Sequence, residues 1–329
     1  MKIIVSFGDP NGIGFETFVK SFFVSETAFE GIDFTVVANK STINEYLEKC
    51  SLVGKAELIN DNLKINTHTI SIIDIPYTKV KFGKISSESG LFSYNSLKIS
   101  TELAKKKEYD ALLTLPISKY SISLTGFDFP GHTEYLANAD NTNHYLMILF
   151  NERMKVALAT IHVPIRDVAK YITKELLFDK IKLFHNSLML DFGIPNPKVA
   201  VLSLNPHSGE LGKIGDEEIE IIVPVLNDFQ NKLLSINGPF SSDSFFRDDD
   251  YFNYDGIFAM YHDQGLIPLK LNSRNGGVNF TAGLSFIRTS PDHGTAFDIA
   301  GRNIANPMGT YQAIIWSKII HNNRQKFSL

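Results

Sequence analysis

The sequence predicts an α/β protein built as two α/β/α domains with largely parallel sheets. Three observations carry this. Short β-branched or apolar runs alternate with longer amphipathic stretches along the whole chain. The chain has 329 residues, beyond the size at which a single core usually stops growing, which predicts two domains. The loops dense in glycine and proline (8–14, 82–90, 205–215, 238–244 and 272–294) follow strands more often than helices, as site-forming loops do.

The elements follow in order. Lys2–Ser6 is an apolar run that reads as a strand, and Gly14–Phe23 reads as the helix after it. Asp33–Ala38 is a second strand and Ile43–Cys50 a second helix, with Thr42 and Glu45 spaced as a capping box. Strand Ile70–Ile75 precedes helix Ser93–Lys107, which leads into strand Ala111–Leu115. Strand Lys155–Ile161, helix Arg166–Asn186 and strand Lys198–Leu204 repeat the alternation. Helix Glu217–Asn231 opens behind Gly215, and Asp216-Glu217-Glu218 suit its positive end. Strands Gly256–Met260 and Val278–Thr281 and helix Met308–His321 complete the series. No internal repeat or low-complexity tract interrupts it.

Composition excludes several functional classes. With 43% hydrophobic and 21% charged residues the chain is an ordinary globular protein. A formal net charge of −4 offers no basic field for nucleic acid and no pull toward an anionic membrane. Apolar runs such as Tyr145–Phe150 are far too short to span a bilayer, and the opening run breaks at Ser6-Phe7-Gly8-Asp9-Pro10, leaving no room for a secretory signal. The lone Cys50 forms no internal disulfide, which fits a reducing cytoplasm; its lysine- and glutamate-rich helical setting predicts a structural role.

Three histidines end strand-like runs: His162 after Val-Ala-Leu-Ala-Thr-Ile, His207 after Val-Leu-Ser-Leu-Asn-Pro, and His262 after Ile-Phe-Ala-Met-Tyr. Strand ends form the rim where open α/β sheets build sites, and neutral imidazole is the commonest metal ligand. Each histidine alone is accounted for by capping a strand. The repeated context predicts a shared site, and three imidazoles would leave a tetrahedral metal one open position, as in catalytic centres. The spacings exclude a zinc finger, and no His-Glu-x-x-His occurs.

Other segments admit two readings each. Gly8-Asp9-Pro10-Asn11-Gly12-Ile13-Gly14, between the first strand and helix, is either a tight turn needing positive φ or a phosphate cradle, although it matches neither Gly-x-Gly-x-x-Gly nor a Walker loop. Thr114 to Lys119, with Gly131-His132-Thr133-Glu134, offers an anion- or hydroxyl-binding corner or merely a surface lysine and a helix start. After His262-Asp263-Gln264-Gly265 come Lys270, Asn279 and Arg288; the two cations are solvated charges or anchors for a phosphorylated substrate. Arg288, in Ser285–Ser290, reads as a loop residue. Asp292-His293-Gly294-Thr295-Ala296 and Ile299-Ala300-Gly301 read as a loop entering a helix capped by Asp292. Asp243, in Ser241-Ser242-Asp243, is a turn residue or a general base.

Taken together, the segments at 8–14, 131–134, 204–210, 260–265, 277–281, Arg288 and 294–296 resemble the 4-hydroxythreonine-4-phosphate dehydrogenase family, in family order over nearly the whole chain. The resemblance implies the isocitrate/isopropylmalate dehydrogenase fold, with a cleft between domains. It implies a nucleotide-binding domain of residues 1–130 and 282–329, containing both termini. Residues 131–281 would form the metal, substrate and dimerisation domain.

The resemblance implies His162, His207 and His262 as metal ligands at the interface of a homodimer. It implies His132, Thr133, Lys270, Asn279 and Arg288 as substrate contacts, and Gly12, Gly14, His293, Gly294 and Thr295 as nucleotide contacts. The implied reaction is oxidation of phosphohydroxythreonine by NAD or NADP with one divalent cation (zinc, magnesium or cobalt), followed by decarboxylation. Lys270 would assist it, and Asp243 or Asp263 would accept the proton. Related enzymes acting on other four-carbon phosphorylated hydroxy acids or on cyclic diols, a metal-dependent hydrolase and a non-catalytic ligand-binding protein are the alternatives. The chain departs from the family at Leu115, where relatives have a small residue, at Asn11 (commonly Ala), at Phe15 (commonly Pro) and along 82–110.

Overall fold

The structure, a computed structural model, describes residues 1–25, 27–127, 131–247, 249–273 and 276–327. Its strands are β1 (Lys2–Ser6), β2 (Asp33–Val37), β3 (Ala56–Ile59), β4 (Asn62–Ile65), β5 (His68–Ile73), β6 (Ala111–Thr114) and β7 (Leu146–Phe150). They continue as β8 (Lys155–Leu158), β9 (Val199–Leu202), β10 (Ile236–Phe240), β11 (Gly256–Ala259), β12 (Val278–Ala282) and β13 (Ile287–Pro291). The helices are α1 (Gly14–Ser21), α2 (Lys40–Lys49), α3 (Ser87–Lys105), α4 (Lys119–Ser123), α5 (His132–Ala139) and α6 (Val168–Tyr171). Then come α7 (Lys174–Leu190), α8 (Val223–Gln230), α9 (Ser242–Arg247), α10 (His262–Leu271) and α11 (Met308–Phe327). The fold is mixed α/β with largely parallel strands, as the alternation predicts.

The chain divides into two compact units. The first comprises Met1–Asn143, Gly276–Asn279 and Leu284–His321; the second comprises His144–Asn275, Phe280–Gly283 and Asn322–Leu329. In the first unit the strands run β13-β6-β1-β2-β5-β4-β3. The pairs from β13 to β5 are parallel, and β4 and β3 add an antiparallel hairpin. Helix α3 packs across β1, β2 and β6. Stacked and edge-on rings of Phe7, Phe15, Phe18, Phe22 and Tyr46 fill the layer between β1 and α1. Each buried ring contributes roughly 1.5–3 kcal/mol of apolar transfer.

In the second unit the order is β10-β9-β11-β8-β7, parallel except for the β7–β8 pair. Val156, Leu158, Ala200, Leu202, Ile257 and Ala259 form the centre of its core with Leu266 and Leu269 of α10. These runs are buried on both faces, as expected of parallel strands covered by helices.

Several elements differ from the sequence reading. Asn39, not Thr42, caps α2, accepting from the N–H groups of Ser41 and Thr42, while the Thr42 hydroxyl bonds Thr78 and Glu45 accepts from Val80 N. The capping box does not form because both of its side chains are engaged by the 77–80 segment. The helix expected at 166–186 breaks at Ile172, and Thr173 caps a fresh helix whose Leu176 N–H it accepts. Arg288 lies in strand β13, only 1% exposed, rather than in a loop. No helix begins behind Asp292; the chain turns through 297–301 and α11 starts at Met308. The expected loop 272–294 contains β12 and β13, and its residues 274 and 275 lie outside those described. Cys50 is buried at the end of α2. Among the described residues no helix is long and apolar enough to cross a membrane.

Candidate active site

In the first unit, β6 and β13 end side by side. Arg288 is in register with Leu112, and Thr114 lies two residues further along on the same face, as the period of a strand requires. The guanidinium reaches along that face, and its Nε and Nη2 both donate to Thr114 Oγ1, at 3.1 and 2.8 Å. Burial pushes the Arg288 pKa down to about 9 against the Glu134 carboxylate, so it stays charged at neutral pH. His132 opens α5, and burial first, then the charges of Arg288 and Lys119, hold its imidazole well below its usual range. It is therefore a neutral donor–acceptor. Gly131 precedes it; a Cβ there would sit 2.7 Å from Glu134 Oε2 and 3.1 Å from Lys119 Nζ. The missing side chain lets a carboxylate and an ammonium close in on the same spot. Thr133 is buried in the first turn of α5, and Asn279 lies on β12.

The glycine turn after β1 is a packing device. Ile13 N donates to Thr295 O at 3.0 Å, and a Cβ on Gly12 would lie 2.8 Å from that oxygen. Gly14 fits against the ring of Pro116. Gly12, Gly14 and Thr295 are thus brought together, while Gly294 has open space where a side chain would be. His293 Nδ1 lies 3.0 Å from Gly294 O, and its Nε2 is buried without a hydrogen-bond partner among the described residues.

Two turn residues escaped the sequence reading as site builders. Asn11, fully buried, accepts from Lys81 N and donates to Lys84 O, at 2.7 and 2.8 Å, fastening 81–84 to the turn. Asp9, 1% exposed, accepts from Asn11 N at 2.9 Å. Burial raises its pKa to about 6, while the bonds from Asn11, Ser89 and Ser121 pull the other way.

In the second unit, β8 and β11 run in register to the ends of the strands, and Ala159 N and Thr160 N continue the ladder to Ala259 O and Met260 O. His162 and His262 follow directly on these adjacent strands, with ring centroids 6.3 Å apart and planes at 35°. His262 Nδ1 lies 2.7 Å from Asp263 Oδ1, which leaves Nε2 as its outward nitrogen. Gln264 joins the strand ends, accepting from Met260 N and donating to Ser203 O and Ser242 Oγ.

His207 sits beyond β9 in a left-handed turn in which residues 207–211 all have φ between +43 and +75°. The Asp243 carboxyl is held below its usual range chiefly by the Ser241 hydroxyl, with the His207 side chain a lesser cause. Lys270 is exposed in the last turn of α10, about 12 Å along the axis from His262 at 1.5 Å per residue. Among the described residues no three His, Cys, Asp or Glu side chains stand together to hold a metal ion. The chain pairs His162 with His262. The donor chemistry of the pair fits a divalent cation that prefers imidazole, and Asp263, 2.7 Å from His262 Nδ1, would fix the tautomer of such a ligand.

The sequence model described as "Pyridoxal phosphate biosynthetic protein PdxA" matches residues 30–317. The 4-hydroxythreonine-4-phosphate dehydrogenase of Bacteroides thetaiotaomicron is 38% identical over 99% of this chain and 90% of its own length. That of a Sulfurihydrogenibium species is 39% identical over 95% of this chain and 96% of its own. The crystal structure of 4-hydroxythreonine-4-phosphate dehydrogenase from Klebsiella pneumoniae superposes with a TM-score of 0.81 and 34% identity, covering 98% of this chain and 99% of that one. A terephthalate 1,2-cis-dihydrodiol dehydrogenase from Burkholderia xenovorans, at 24% identity and a TM-score of 0.64, shares the fold.

Proposed function

Because the chain belongs to the family of the pyridoxal phosphate biosynthetic protein PdxA, we propose that it oxidises 4-phosphohydroxy-L-threonine with NAD as hydride acceptor. The carbinol carbon loses hydride to the nicotinamide and its hydroxyl loses a proton. The resulting 2-amino-3-oxo-4-phosphooxybutanoate, a β-keto acid, then releases CO2 to give 3-amino-2-oxopropyl phosphate.

The observation that carries the substrate class is the Arg288 corner. A charged guanidinium buried to 1% exposure, forked onto Thr114 with the Glu134 carboxylate, a lysine and a neutral imidazole nearby, makes a corner rich in charged and neutral donors suited to an anion. Arg288 and Lys119 would bind the phosphate or carboxylate end, with His132, Thr133 and Asn279 orienting the remainder through neutral hydrogen bonds. Such positioning, rather than any new covalent step, is the part these residues play. Lys270, exposed on α10, would meet the substrate as a solvent-facing cation. Gly12, Gly14, Thr295 and the open Gly294 would line the nicotinamide cofactor, with His293 Nε2 turned inward for it.

His162, His207 and His262 would hold the divalent cation, a second copy of the chain completing the set at a homodimer interface. Support comes from the pairing of His162 and His262 at adjacent strand ends, two imidazoles that leave a cation further ligands to take up. When bound, the cation supplies Lewis-acid stabilisation of negative charge on the substrate hydroxyl. Asp263 keeps the His262 ring oriented. Asp243, ionised at neutral pH, is left to accept the hydroxyl proton on its carboxylate.

The test is absorbance of reduced nicotinamide from purified protein with phosphohydroxythreonine and NAD, with and without chelator. Phosphothreonate and NADP serve as competing arms. The reading expects turnover with the amino acid that is lost to chelator. Faster turnover of the amine-free acid would move the protein to the threonate class, and phosphate release without nicotinamide reduction would make it a hydrolase.

A further inference from the structure

The turn carrying His207 is held by something other than packing. Four of its five left-handed residues are not glycine, a conformation that costs L residues free energy at each step and survives only where surroundings fix it. Hydrophobic anchoring does not fix it: Leu211 is 93% exposed, and Gly209 is the turn's buried residue.

Beneath the turn lies Glu218, a carboxylate only 2% exposed at the start of a single π turn, Glu218–Ile222. Its Oε1 accepts from the backbone N–H groups of Leu204 and Asn205, both at 2.8 Å. Its Oε2 accepts from Asn205 Nδ2 at 2.9 Å, and that amide also donates to Glu217 Oε2 at 2.6 Å. A Cβ on Gly209 would stand 2.7 Å from Glu218 Oε2, so the middle of the left-handed turn rests directly on the carboxylate. Ile214 N donates to Gly209 O and closes the loop around it.

We propose that Glu218 is the positioning residue of His207, its buried carboxylate clamping residues 204–209 so that the left-handed turn presents the imidazole in one orientation. The clamp uses both carboxylate oxygens, one on the strand exit and one under the turn. The functional half of this inference rests on the reading of His207 as a metal ligand.

The experiment compares wild type with Glu218→Gln, Glu218→Ala and His207→Ala in two measurements. Glutamine keeps an oxygen for Leu204 and Asn205 but sets an NH2 group against the Asn205 amide and Gly209. The first measurement is the ring resonance of His207, assigned by its loss in His207→Ala. In Glu218→Gln it should shift and broaden while those of His162 and His262 stay in place. The second is zinc affinity by competition with a chromophoric chelator, which should fall about 10–100-fold in Glu218→Ala and less in Glu218→Gln. An unmoved His207 resonance in Glu218→Gln overturns the clamp, whatever the zinc result. A shifted resonance in a protein whose wild type binds no zinc upholds the clamp and removes the ligand reading instead. Should Glu218→Ala fail to fold, the glutamine variant alone decides.

Discussion

Asp9 makes the stability of the first unit fall as pH rises. Its carboxyl, buried between the Asn11 N–H and the Ser89 and Ser121 hydroxyls, holds its proton up to about pH 6, against an ordinary value of 3.8. The folded protein therefore binds that proton more tightly than the unfolded chain. Between these two values the unfolded chain has released it and the folded one has not, so this group's contribution to stability declines with rising pH. At about 1.4 kcal/mol per pH unit, the interval corresponds to about 3 kcal/mol, fully lost above pH 6. Asp9→Asn keeps an oxygen for the Asn11 N–H and cannot ionise. The variant and the wild type should melt together near pH 4. At pH 7.5 the variant should melt higher, by roughly 6–12 °C at about 2–4 °C per kcal/mol for a domain of this size. Calorimetry of both proteins across that range is the assay. A melting difference that is flat with pH, or that shrinks as pH rises, would refute the reasoning.

Further outcomes follow from the same geometry. Arg288→Met removes the buried guanidinium that Thr114 holds in place; with a charge-assisted hydrogen bond from it to the substrate worth about 1.5–3 kcal/mol, steady-state kinetics should show KM for the phosphorylated substrate rising about 10–150-fold. An unchanged KM would put the anion elsewhere. Asp263→Ala leaves His262 Nδ1 without its carboxylate and should weaken zinc binding about 10–100-fold by chelator competition. Cys50, buried and with its thiol pushed up to about 12 by burial and Glu16, should resist iodoacetamide until the protein is unfolded; labelling of the native protein, read by mass spectrometry, would contradict its placement.

The sequence made the parallel frame and the strand-end histidines legible because both rest on local pattern. The run Lys2–Ser6 stops at a glycine–proline turn, and Gly256–Met260 stops at a polar His-Asp pair. Arg288 was misread because its partners, Thr114 and Glu134, are more than a hundred residues away, and a cation between Ile287 and Thr289 looks locally like a loop. Glu218 read only as an acid suited to a helix start, since its clamp depends on a left-handed turn that no spacing rule announces. The β3–β4 hairpin did carry a signal: Asn60-Asp61, both at positive φ, form the two-residue turn favoured between paired strands. Thr42 reads as the cap of α2 from its spacing to Glu45, but the 77–80 segment engages its hydroxyl and Asn39 caps the helix instead.

The most direct test of the proposed chemistry follows a deuterium atom placed on the carbinol carbon of phosphohydroxythreonine. Mass spectrometry of the recovered dinucleotide should find the label in the reduced nicotinamide, with 3-amino-2-oxopropyl phosphate as the accompanying product. Consumption of the substrate with the label left in solvent or product, and with the nicotinamide still oxidised, would contradict hydride transfer by this protein.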